Sequence, residues 1–453
     1  MNKILIANRG EIALRIMKTC KRLGIQTVAV YSEADAHMPF VKYADEAYEI
    51  GPGPVVQSYL KADTIIELAL KVGADAIHPG YGLLSENAAF ARKVRDAGIT
   101  FIGPDAETIE LMGDKIASRM KMKEAGVPVV PGTDEGISSI EEAIEAAGTI
   151  GYPVMLKASA GGGGIGMVRC EGEQALSQHF QSVKSRAKAY FGDDVVFLEK
   201  FIENARHIEV QIFGDKKGNI VHLFERNCSV QRRNQKVIEE SPSPSLKKEV
   251  AERLYGAAVA AGKAVNYRNA GTVEFILSDN DDFYFLEMNT RLQVEHPVTE
   301  EVTGFDLVEW QIEVARGNEL PFKDQQLIKS MGHAIEFRIY AEDPVTFMPS
   351  PGLIRKMEWE DLHDARIDSG YKEGGNVTPF YDPMIAKVII HTNDRQEAIS
   401  KAVQFFKSFT IEGVKSNIPL FEKFIESQVF TDGNYNTNVL AEWLKVEKEE
   451  MKK

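Results

Sequence analysis

From residue 287 to residue 295 every odd position carries a strongly polar or charged side chain, and every even position is apolar or Thr. Successive side chains of an extended backbone point to opposite faces, so this pattern predicts a strand with one polar face. A strand with one solvent-exposed face would show the same alternation. We favour a functional interpretation, because the shared face carries both charges and amides: Glu287, Asn289, Arg291, Gln293 and Glu295.

A hairpin is predicted just before this stretch. Residues 271–277 form an apolar run typical of a strand, and residues 278–282 form a polar turn. The hairpin places Glu274 opposite Glu287, or within about one residue of it. Like charges across a strand pair repel each other. A hard divalent cation bound by carboxylate and amide oxygens removes that repulsion, and Mg²⁺ usually binds together with substrate phosphates.

The first hundred residues alternate short apolar runs with amphipathic stretches. Strands are predicted at 3–7, 27–31 and 75–78, with helices such as 11–23 and 63–72 between them. This order is typical of a parallel sheet covered by helices on both faces. The first turn lacks the pattern G-x-G-x-x-G, which argues against a dinucleotide-binding dehydrogenase domain.

The rest of the chain predicts two further units. A helix is expected over 113–126 and a second α/β segment over about 138–202, followed by strands at 207–213 and 220–225. The third unit starts near Gly332, with a strand at 333–340, a turn at 348–352 and a helix at 394–409. Residues 447–453 are expected to be a charged, fraying tail. The sequence contains no internal repeat and no low-complexity linker.

Composition narrows the class of protein. The 453 residues carry a net charge of −14, which argues against a nucleic-acid-binding surface. No apolar run reaches the ~18 residues that a membrane helix needs, and the N-terminus turns polar too early for a signal peptide. The 3 cysteines are too few and too scattered for a disulfide framework or a metal cluster. These features favour a cytoplasmic protein with no membrane or nucleic-acid partner.

A glycine loop is the second strong motif. Lys157 ends a predicted strand and precedes glycines at 161–164 and 166. Glycines let backbone N–H groups approach a polyphosphate without interference from Cβ atoms. Gly-Lys-Ser/Thr does not follow, so the loop is not a P-loop. A flexible linker is the alternative, but a lysine at the join with a strand favours a loop that covers phosphates. Lys115 is a weaker candidate for a second phosphate-binding cation.

Four shorter motifs carry less information. A Pro-Gly turn with Tyr81 follows a strand, which indicates either a ligand site or simple packing. His207 and Glu209 form H-x-E, but P-C-x-x-C does not follow, which excludes a zinc deaminase. The cationic run at 231–236 is a solvated surface or an anion site. Lys121 between two methionines resembles a biotinylation tripeptide, but its predicted position within a helix argues against modification.

Together these segments resemble biotin carboxylase, a member of the ATP-grasp superfamily, over essentially the whole chain. The resemblance is carried by stretches at 6–13, 78–82, 85–87, 231–236, 287–297 and 381–384, and by Lys157 with its glycine loop. It implies an α/β fold with a Rossmann-like N-terminal domain (1–112) and an ATP-grasp core (113–330) whose mobile lid spans about 130–203. A C-terminal α+β domain (331–446) follows, and the family commonly forms homodimers.

The resemblance also implies roles for the matching residues. It implies ATP binding by Lys115, Lys157, Gly162, Gly163, Gly164, Glu199, Lys200, Ile202, His207, Gln231, Asn234, Glu274 and Glu287. It implies two Mg²⁺ or Mn²⁺ ions bound by Glu274, Glu287 and Asn289. Bicarbonate would be bound by Lys236, Arg291, Gln293 and the Val294 backbone, with Glu295 as its general base. Biotin would bind at Tyr81 and Gly82, with Arg338 stabilising its enolate; Glu295, Arg338, Lys236 and Arg291 are the implied catalytic residues.

The implied reaction is ATP- and bicarbonate-dependent carboxylation of biotin on a separate biotin carboxyl carrier protein. The chain would be the free biotin carboxylase subunit of a multisubunit carboxylase such as acetyl-CoA carboxylase, with carboxyltransferase subunits as further partners. Phosphoryl transfer of this kind needs cations around the γ-phosphate more than covalent catalysis. It would make the chain an ATP-dependent carbon–nitrogen ligase in fatty acid biosynthesis.

Two alternatives stay open at this stage. A carbamoyl-phosphate-synthetase-like ligase also activates bicarbonate, but the chain has no second ATP-grasp half. A catalytically silent nucleotide-binding subunit is the other, and intact Lys236, Arg291, Glu295 and Arg338 argue against it. Ile165 and Asn234 depart from the family pattern, which more often has a basic residue and a histidine there. Both departures bear on nucleotide affinity and lid closure.

Overall fold

A computed structural model of the chain describes residues 1–159, 166–360, 363 and 365–450. The first unit is a five-stranded parallel sheet, as predicted, with strand order β3-β2-β1-β4-β5. Its strands are β1 (Lys3–Ile6), β2 (Gln26–Tyr31), β3 (Glu46–Glu49), β4 (Ala76–His78) and β5 (Thr100–Phe101). Its helices are α1 (Gly10–Arg22), α2 (Pro39–Tyr43), α3 (Ala62–Lys71), α4 (Ala88–Asp96) and α5 (Ala106–Gly113). The apolar runs of β1 and β4 are buried, which is why they occupy the middle of the sheet.

The second unit begins with a small antiparallel sheet that carries Lys157. Its order is β7-β6-β8, from strands β6 (Val154–Ala158), β7 (Met167–Cys170) and β8 (Val196–Lys200). Helices α6 (Lys115–Glu124), α7 (Ile140–Ile150) and α8 (Glu173–Phe191) accompany it. The prediction of a single helix over 113–126 is wrong at its start. Asp114 separates α5 from α6, because its side chain caps the new helix by accepting hydrogen bonds from the backbone N–H groups of Ile116 and Ala117.

An eight-stranded sheet forms the centre of the molecule, with order β13-β12-β9-β10-β11-β14-β19-β17. Its strands are β9 (Arg206–Gly214), β10 (Ile220–Arg232), β11 (Gln235–Ser241), β12 (Asn269–Leu277), β13 (Phe283–Asn289), β14 (His333–Tyr340), β17 (Ala365–Ser369) and β19 (Met384–Thr392). Two separate two-stranded sheets pair β15 (Gly352–Leu353) with β18 (Asn376–Val377) and β16 (Lys356–Glu358) with β20 (Thr410–Glu412). The predicted strands at 271–277 and 333–340 are confirmed. Strands β14, β19 and β17 continue the sheet begun by β9–β13, so the second and third units share one sheet.

Helices pack on both sides of this sheet and at its end. They are α9 (Lys248–Ala264), α10 (His296–Thr303), α11 (Leu307–Ala315), α12 (Arg395–Ser408), α13 (Ile418–Phe424), α14 (Gln428–Thr431) and α15 (Val439–Glu450). One apolar cluster joins Ile16 of α1, Val308 of α11, Ile335 of β14 and Val388 of β19. Burial of apolar surface therefore links all three units, since it is the main favourable contribution to folding.

Three sequence predictions need correction. The extended strand predicted over 287–295 ends at Asn289, because helix α10 begins at His296, with Pro297 in its first turn, and the chain must turn before it. The strand predicted over 220–225 extends to Arg232 and pairs with β11, so the cationic run at 231–236 is a hairpin. Residues 447–450, predicted as part of a fraying tail, continue helix α15; residues 451–453 lie outside the described part of the chain.

Glu240 connects the central sheet to the C-terminal helices. Its buried carboxylate accepts hydrogen bonds from His333 Nε2 at 2.7 Å and from Arg395 Nε at 2.7 Å, and one from the Tyr435 hydroxyl. Burial raises the pKa of Glu240, but the hydrogen bond from His333 and the charge of Arg395 outweigh burial and hold the pKa below its ordinary value. The ionised carboxylate therefore stabilises the folded state above the unfolded-state pKa.

The Glu240→Gln variant is expected to lose on the order of 3 kcal/mol of unfolding free energy at pH 7, because it leaves a buried cation without its partner. This difference from wild type is expected to shrink as the pH falls below about 4.3, where the wild-type carboxylate also takes up a proton. Urea denaturation at a series of pH values measures both effects. Glu249→Gln on the exposed side of α9 is the matched control. A difference that stays constant with pH would contradict this account.

Candidate active site

A cavity of about 1180 Å³ lies where the three units meet. It is lined by loop and helix residues of the first unit, by the small antiparallel sheet, and by strands β9–β14 of the central sheet. The predicted site residues among its lining are Tyr81, Gly82, Lys115, Lys157, Glu199, Lys200, Ile202, His207, Gln231, Asn234, Lys236, Glu274, Glu287, Asn289, Arg291, Gln293, Val294, Glu295 and Arg338. Gly162, Gly163, Gly164 and Ile165 lie outside the described residues. The structure therefore brings together side chains that are 257 positions apart, from Tyr81 to Arg338.

A row of carboxylates crosses the edge of the central sheet. Glu274 is the direct cross-strand partner of Glu287 on one side, as predicted, and of Glu209 on the other. Glu209 was not predicted as a member of the site from the sequence. The available signal was its position two residues after His207, which puts both side chains on the same face of β9.

Lys236 neutralises much of this charge. Its Nζ lies 2.5 Å from Glu209 Oε2, 2.9 Å from Glu274 Oε1 and 2.7 Å from Glu295 Oε1. Burial raises the pKa of Glu274 and of Glu295. Lys236 together with His207 at Glu274, and Lys236 together with Arg338 and Arg226 at Glu295, outweigh burial and hold both pKa values well below the ordinary value. Both groups are therefore ionised at neutral pH.

Glu209 responds differently to the same lysine. Burial raises its pKa above the ordinary value, and Lys236 and Arg226 only partly offset that effect. Arg226 is fully buried, and its Nε donates to Glu209 Oε1 at 2.5 Å. The site thus holds carboxyl groups whose pKa values are separated by their surroundings, an arrangement typical of acid–base sites.

Arg338 bridges two carboxylates on the far side of Glu295. Its Nη2 lies 2.9 Å from Glu295 Oε2 and 2.6 Å from Glu239 Oε1. Burial raises the pKa of Glu239 to about 7, although the charge of Arg338 lowers it. Glu239 was not predicted from the sequence, because nothing near it in the chain indicates its partner Arg338, which lies on β14.

The loop after β13 supplies Arg291 and Gln293. Arg291 donates from Nε to Glu86 Oε2 at 2.8 Å, from Nη1 to Gln293 Oε1 at 2.8 Å and from Nη2 to Asn289 Oδ1 at 2.9 Å. Gln293 Nε2 in turn donates to Glu274 Oε1 at 2.9 Å. The predicted groups therefore converge, but through a folded loop and not through an extended strand. Glu86 belongs to the stretch 85–87 that carries the resemblance, but it was not assigned to the site from the sequence.

A second group of cations lies toward the small antiparallel sheet. Lys157 forms an ion pair with Glu199, and both side chains are buried. Lys115 Nζ lies 3.7 Å from Glu287 Oε2, at the N-terminus of α6. A helix N-terminus with a nearby lysine favours a bound phosphate. Glu274, Glu287 and Asn289 supply the hard oxygen donors that suit Mg²⁺ beside such a phosphate, so the residues fit this ion.

Polar groups of the first unit reach the same cavity near Arg338. The Tyr81 hydroxyl donates a hydrogen bond to Glu11, which is buried at the start of α1. Gly82 has φ +63°, a left-handed conformation that glycine adopts without strain. Elsewhere, Lys121 lies within α6, as predicted, and not at a hairpin tip. None of the described helices is long and apolar enough to span a bilayer.

Comparisons with known proteins agree along the whole chain. Family models match in order: "Biotin carboxylase, N-terminal domain" at residues 1–109, "Carbamoyl-phosphate synthase L chain, ATP binding domain" at 114–323 and "Biotin carboxylase C-terminal domain" at 336–442. A biotin carboxylase of Halalkalibacterium halodurans is 55% identical over 444 residues, which cover 98% of each chain. Biotin carboxylase 2 of Bacillus subtilis is 55% identical over 442 residues, which cover 98% of this chain and 99% of that one.

A solved structure also matches over nearly the whole chain. The biotin carboxylase domain dimer of Hydrogenobacter thermophilus 2-oxoglutarate carboxylase, in complex with MgADP, ADP and bicarbonate, has a TM-score of 0.95 and 48% sequence identity. The match covers 97% of each chain. The predicted fold class is confirmed: a Rossmann-like N-terminal domain, an ATP-grasp core and a C-terminal α+β domain.

Proposed function

The chain belongs to the biotin carboxylase family, and from this premise we propose that it carboxylates biotin at the expense of ATP and bicarbonate. The observation that carries the proposal is the surroundings of Glu295. One ionised carboxylate is held between Lys236 and Arg338, beside the acidic row that suits a metal ion and within one cavity. This arrangement provides a base, cations for an anionic substrate and a place for a nucleotide.

ATP would lie between the central sheet and the small antiparallel sheet. Lys115, Lys157 and the loop with Gly162, Gly163 and Gly164 would bind its phosphates. The nucleoside would contact the other predicted residues of this part of the cavity: Glu199, Lys200, Ile202, His207, Gln231 and Asn234. Lys200 Nζ already donates to the carbonyls of Gly151 and Tyr152 at 2.9 Å, so its side chain is held in place by the protein.

Glu274, Glu287 and Asn289 would hold the divalent cation, Mg²⁺ or Mn²⁺, with two ions in the full complex. Such a cation supplies positive charge next to the transferred phosphoryl group. Glu274 is already engaged with Lys236, Asn289 and Gln293, whereas the Glu287 side chain is 32% exposed in the cavity wall. Glu287 is therefore the residue best placed to meet an incoming metal–nucleotide complex.

Bicarbonate would bind between Lys236, Arg291, Gln293 and the backbone of Val294. The two cations lower the pKa of bound bicarbonate, because they favour its more negative form. Glu295 then removes the proton, and the resulting oxygen attacks the γ-phosphorus of ATP to give carboxyphosphate and ADP. Carboxyphosphate decomposes to CO₂ and phosphate within the closed cavity, where water is excluded.

Biotin would enter beside Tyr81 and Gly82. The phosphate released from carboxyphosphate removes the proton from the ureido nitrogen, and Arg338 stabilises the negative charge that develops on the ureido oxygen. The nitrogen then forms a bond with CO₂ to give carboxybiotin. Arg338 is suited to this role because its planar guanidinium stays charged even when buried.

The partners follow from the same proposal. Biotin would be carried by a separate biotin carboxyl carrier protein, and carboxyltransferase subunits would use the carboxybiotin. We propose a homodimer, the domain bounds 1–112, 113–330 and 331–446, and a lid at about 130–203. A reducing, cytoplasmic location is supported by Cys20, Cys170 and Cys228, which are free and buried. We propose that the chain is a subunit of an acyl-CoA carboxylase such as acetyl-CoA carboxylase.

Phosphate release from Mg-ATP, measured with and without bicarbonate and free biotin, tests the function. We expect ATP cleavage that depends on bicarbonate and is stimulated by biotin. ATP binding without bicarbonate-dependent turnover would overturn the proposal and favour a silent nucleotide-binding subunit. In that case Ile165 and Asn234 would be the first positions to revert to the family pattern.

The Arg338→Ala variant is expected to lose the stimulation by biotin by about 10²–10³-fold, because it removes a cation at a position where charge develops. Bicarbonate-dependent ATP cleavage without biotin should fall much less. Rates of phosphate release with and without biotin measure both effects, and Arg355→Ala, at an exposed position of the third unit, is the control. Equal losses with and without biotin would contradict the assigned role.

A further inference from the structure

Lys387 of β19 is fully buried, with 0% of its surface exposed. Its Nζ donates to the backbone carbonyl of Val294 at 2.8 Å and lies 3.1 Å from Glu11 Oε1. Burying an ammonium group costs several kcal/mol unless it is paired and hydrogen-bonded. An uncharged side chain would fill the same space in the core, so packing alone does not explain a lysine here.

The contacts of Lys387 join all three units. Val294 belongs to the loop after β13, and Glu11 begins α1 of the first unit. The Glu11 oxygen that meets Lys387 also accepts the hydrogen bond from the Tyr81 hydroxyl. A chain of contacts therefore runs from Tyr81 through Glu11 and Lys387 to the peptide between Val294 and Glu295.

The carbonyl of Val294 matters because of its neighbours. Gln293 and Glu295 flank Val294 and reach the cavity, while the Gln293 carbonyl accepts a hydrogen bond from His296 Nδ1 at 2.7 Å. A fixed peptide plane at Val294 sets the direction in which both flanking side chains leave the backbone. The position of the base and of an amide ligand thus depends on a residue outside the cavity lining.

We propose that Lys387 is a positioning residue that couples the bicarbonate site to the biotin site. It holds the Val294 carbonyl so that Gln293 and Glu295 face bicarbonate, and through Glu11 it fixes the hydroxyl of Tyr81. This inference rests on the proposed function, since it names the two ligands that the coupled sites bind. Lys387 touches neither ligand.

The electrostatic surroundings favour a cation at this position. Glu336 and Asp368 are buried on the strands that flank β19. The carboxylates of Glu11 and of Glu336 each have at least one oxygen atom without a hydrogen-bond donor among the described residues. Arg15, Arg366 and His296 are further charged or titratable groups of this region. Glu239, Arg338 and Glu295 act on Glu336 from its other neighbours, and Tyr81 acts on Glu11. Burial raises the pKa of Glu11 and of Glu336, and Lys387 counteracts both shifts.

The test uses the double variant Lys387→Met/Glu11→Gln, because it removes both members of the ion pair together, so that neither is left buried without the other. We expect KM for bicarbonate and KM for free biotin to rise about tenfold or more, as for loss of a hydrogen bond to a charged group. KM for ATP should stay within about twofold, since the nucleotide residues do not contact Lys387. Steady-state phosphate release over the three substrate concentrations gives these constants.

Two comparisons separate positioning from a loss of fold. The single variant Glu11→Gln keeps the bond from Lys387 to Val294, so we expect a raised KM for biotin with an unchanged KM for bicarbonate. Lys445→Met, at an exposed position of α15, controls for loss of a lysine. Unchanged constants for bicarbonate and biotin in a folded double variant would overturn the inference, and so would an equal rise in KM for ATP. Absence of bicarbonate-dependent turnover in the wild-type protein would instead overturn the proposed function itself, and this inference with it.

Discussion

The Glu295→Gln variant is expected to lose bicarbonate-dependent ATP cleavage by about 10²–10⁴-fold, the range associated with removal of a general base. Glutamine has nearly the same shape but cannot take a proton from bicarbonate. The rate of phosphate release from Mg-ATP at saturating bicarbonate measures the effect. Binding of ATP should change little, because Glu295 contacts Lys236 and Arg338 and not the cations near α6 and β6.

The pH dependence offers an independent check on this variant. Lys236 and Arg338 hold the pKa of Glu295 well below its ordinary value, so the wild-type carboxylate is already ionised throughout the neutral range. We therefore expect no loss of wild-type activity between pH 6 and pH 8 that is due to protonation of Glu295. Glu249→Gln serves as the control for an exposed glutamate. Full activity in Glu295→Gln would show that Glu295 is not the general base.

The Lys236→Met variant is expected to lose about 3–5 kcal/mol of unfolding free energy at pH 7, as well as its ATP cleavage, because it leaves buried carboxylates without their shared cation. Glu209, Glu274 and Glu295 all meet Lys236 at 2.9 Å or less. Urea denaturation monitored at pH 7 and near pH 4 measures the stability change.

The sign of its pH dependence follows from the carboxylates. Glu274 and Glu295 have pKa values below their ordinary values in the folded protein, so their ionised forms stabilise it above the unfolded-state pKa, and this contribution is lost as the pH falls. The stability difference between wild type and Lys236→Met should therefore be largest at neutral pH and shrink below about 4.3. Lys445→Met is the matched control on an exposed helix position. A variant as stable as wild type at pH 7 would show that the carboxylates find other partners.

Local patterns in the sequence were enough to find most of the candidate site. Glycines that precede or follow strands, a lysine at the end of β6 and alternation around Glu287 are visible because each depends on neighbours in the chain. The hairpin pairing of Glu274 with Glu287 was predictable for the same reason, since a short turn fixes the register. The resemblance to biotin carboxylase added roles to these residues.

Sequence alone determined most of the long elements, the acidic hairpin and the family, because short-range periodicity and motif spacing record them directly. Only the tertiary structure placed Glu209 beside Lys236 and Glu239 beside Arg338, since each pair joins strands that are not consecutive in the chain. It also replaced the predicted extended strand after Asn289 with a loop, because helix α10 begins at His296. Lys387 shows the reason most clearly: a buried lysine in an apolar strand acquires its meaning from Glu11 and Val294, which the fold brings to it from the other two units.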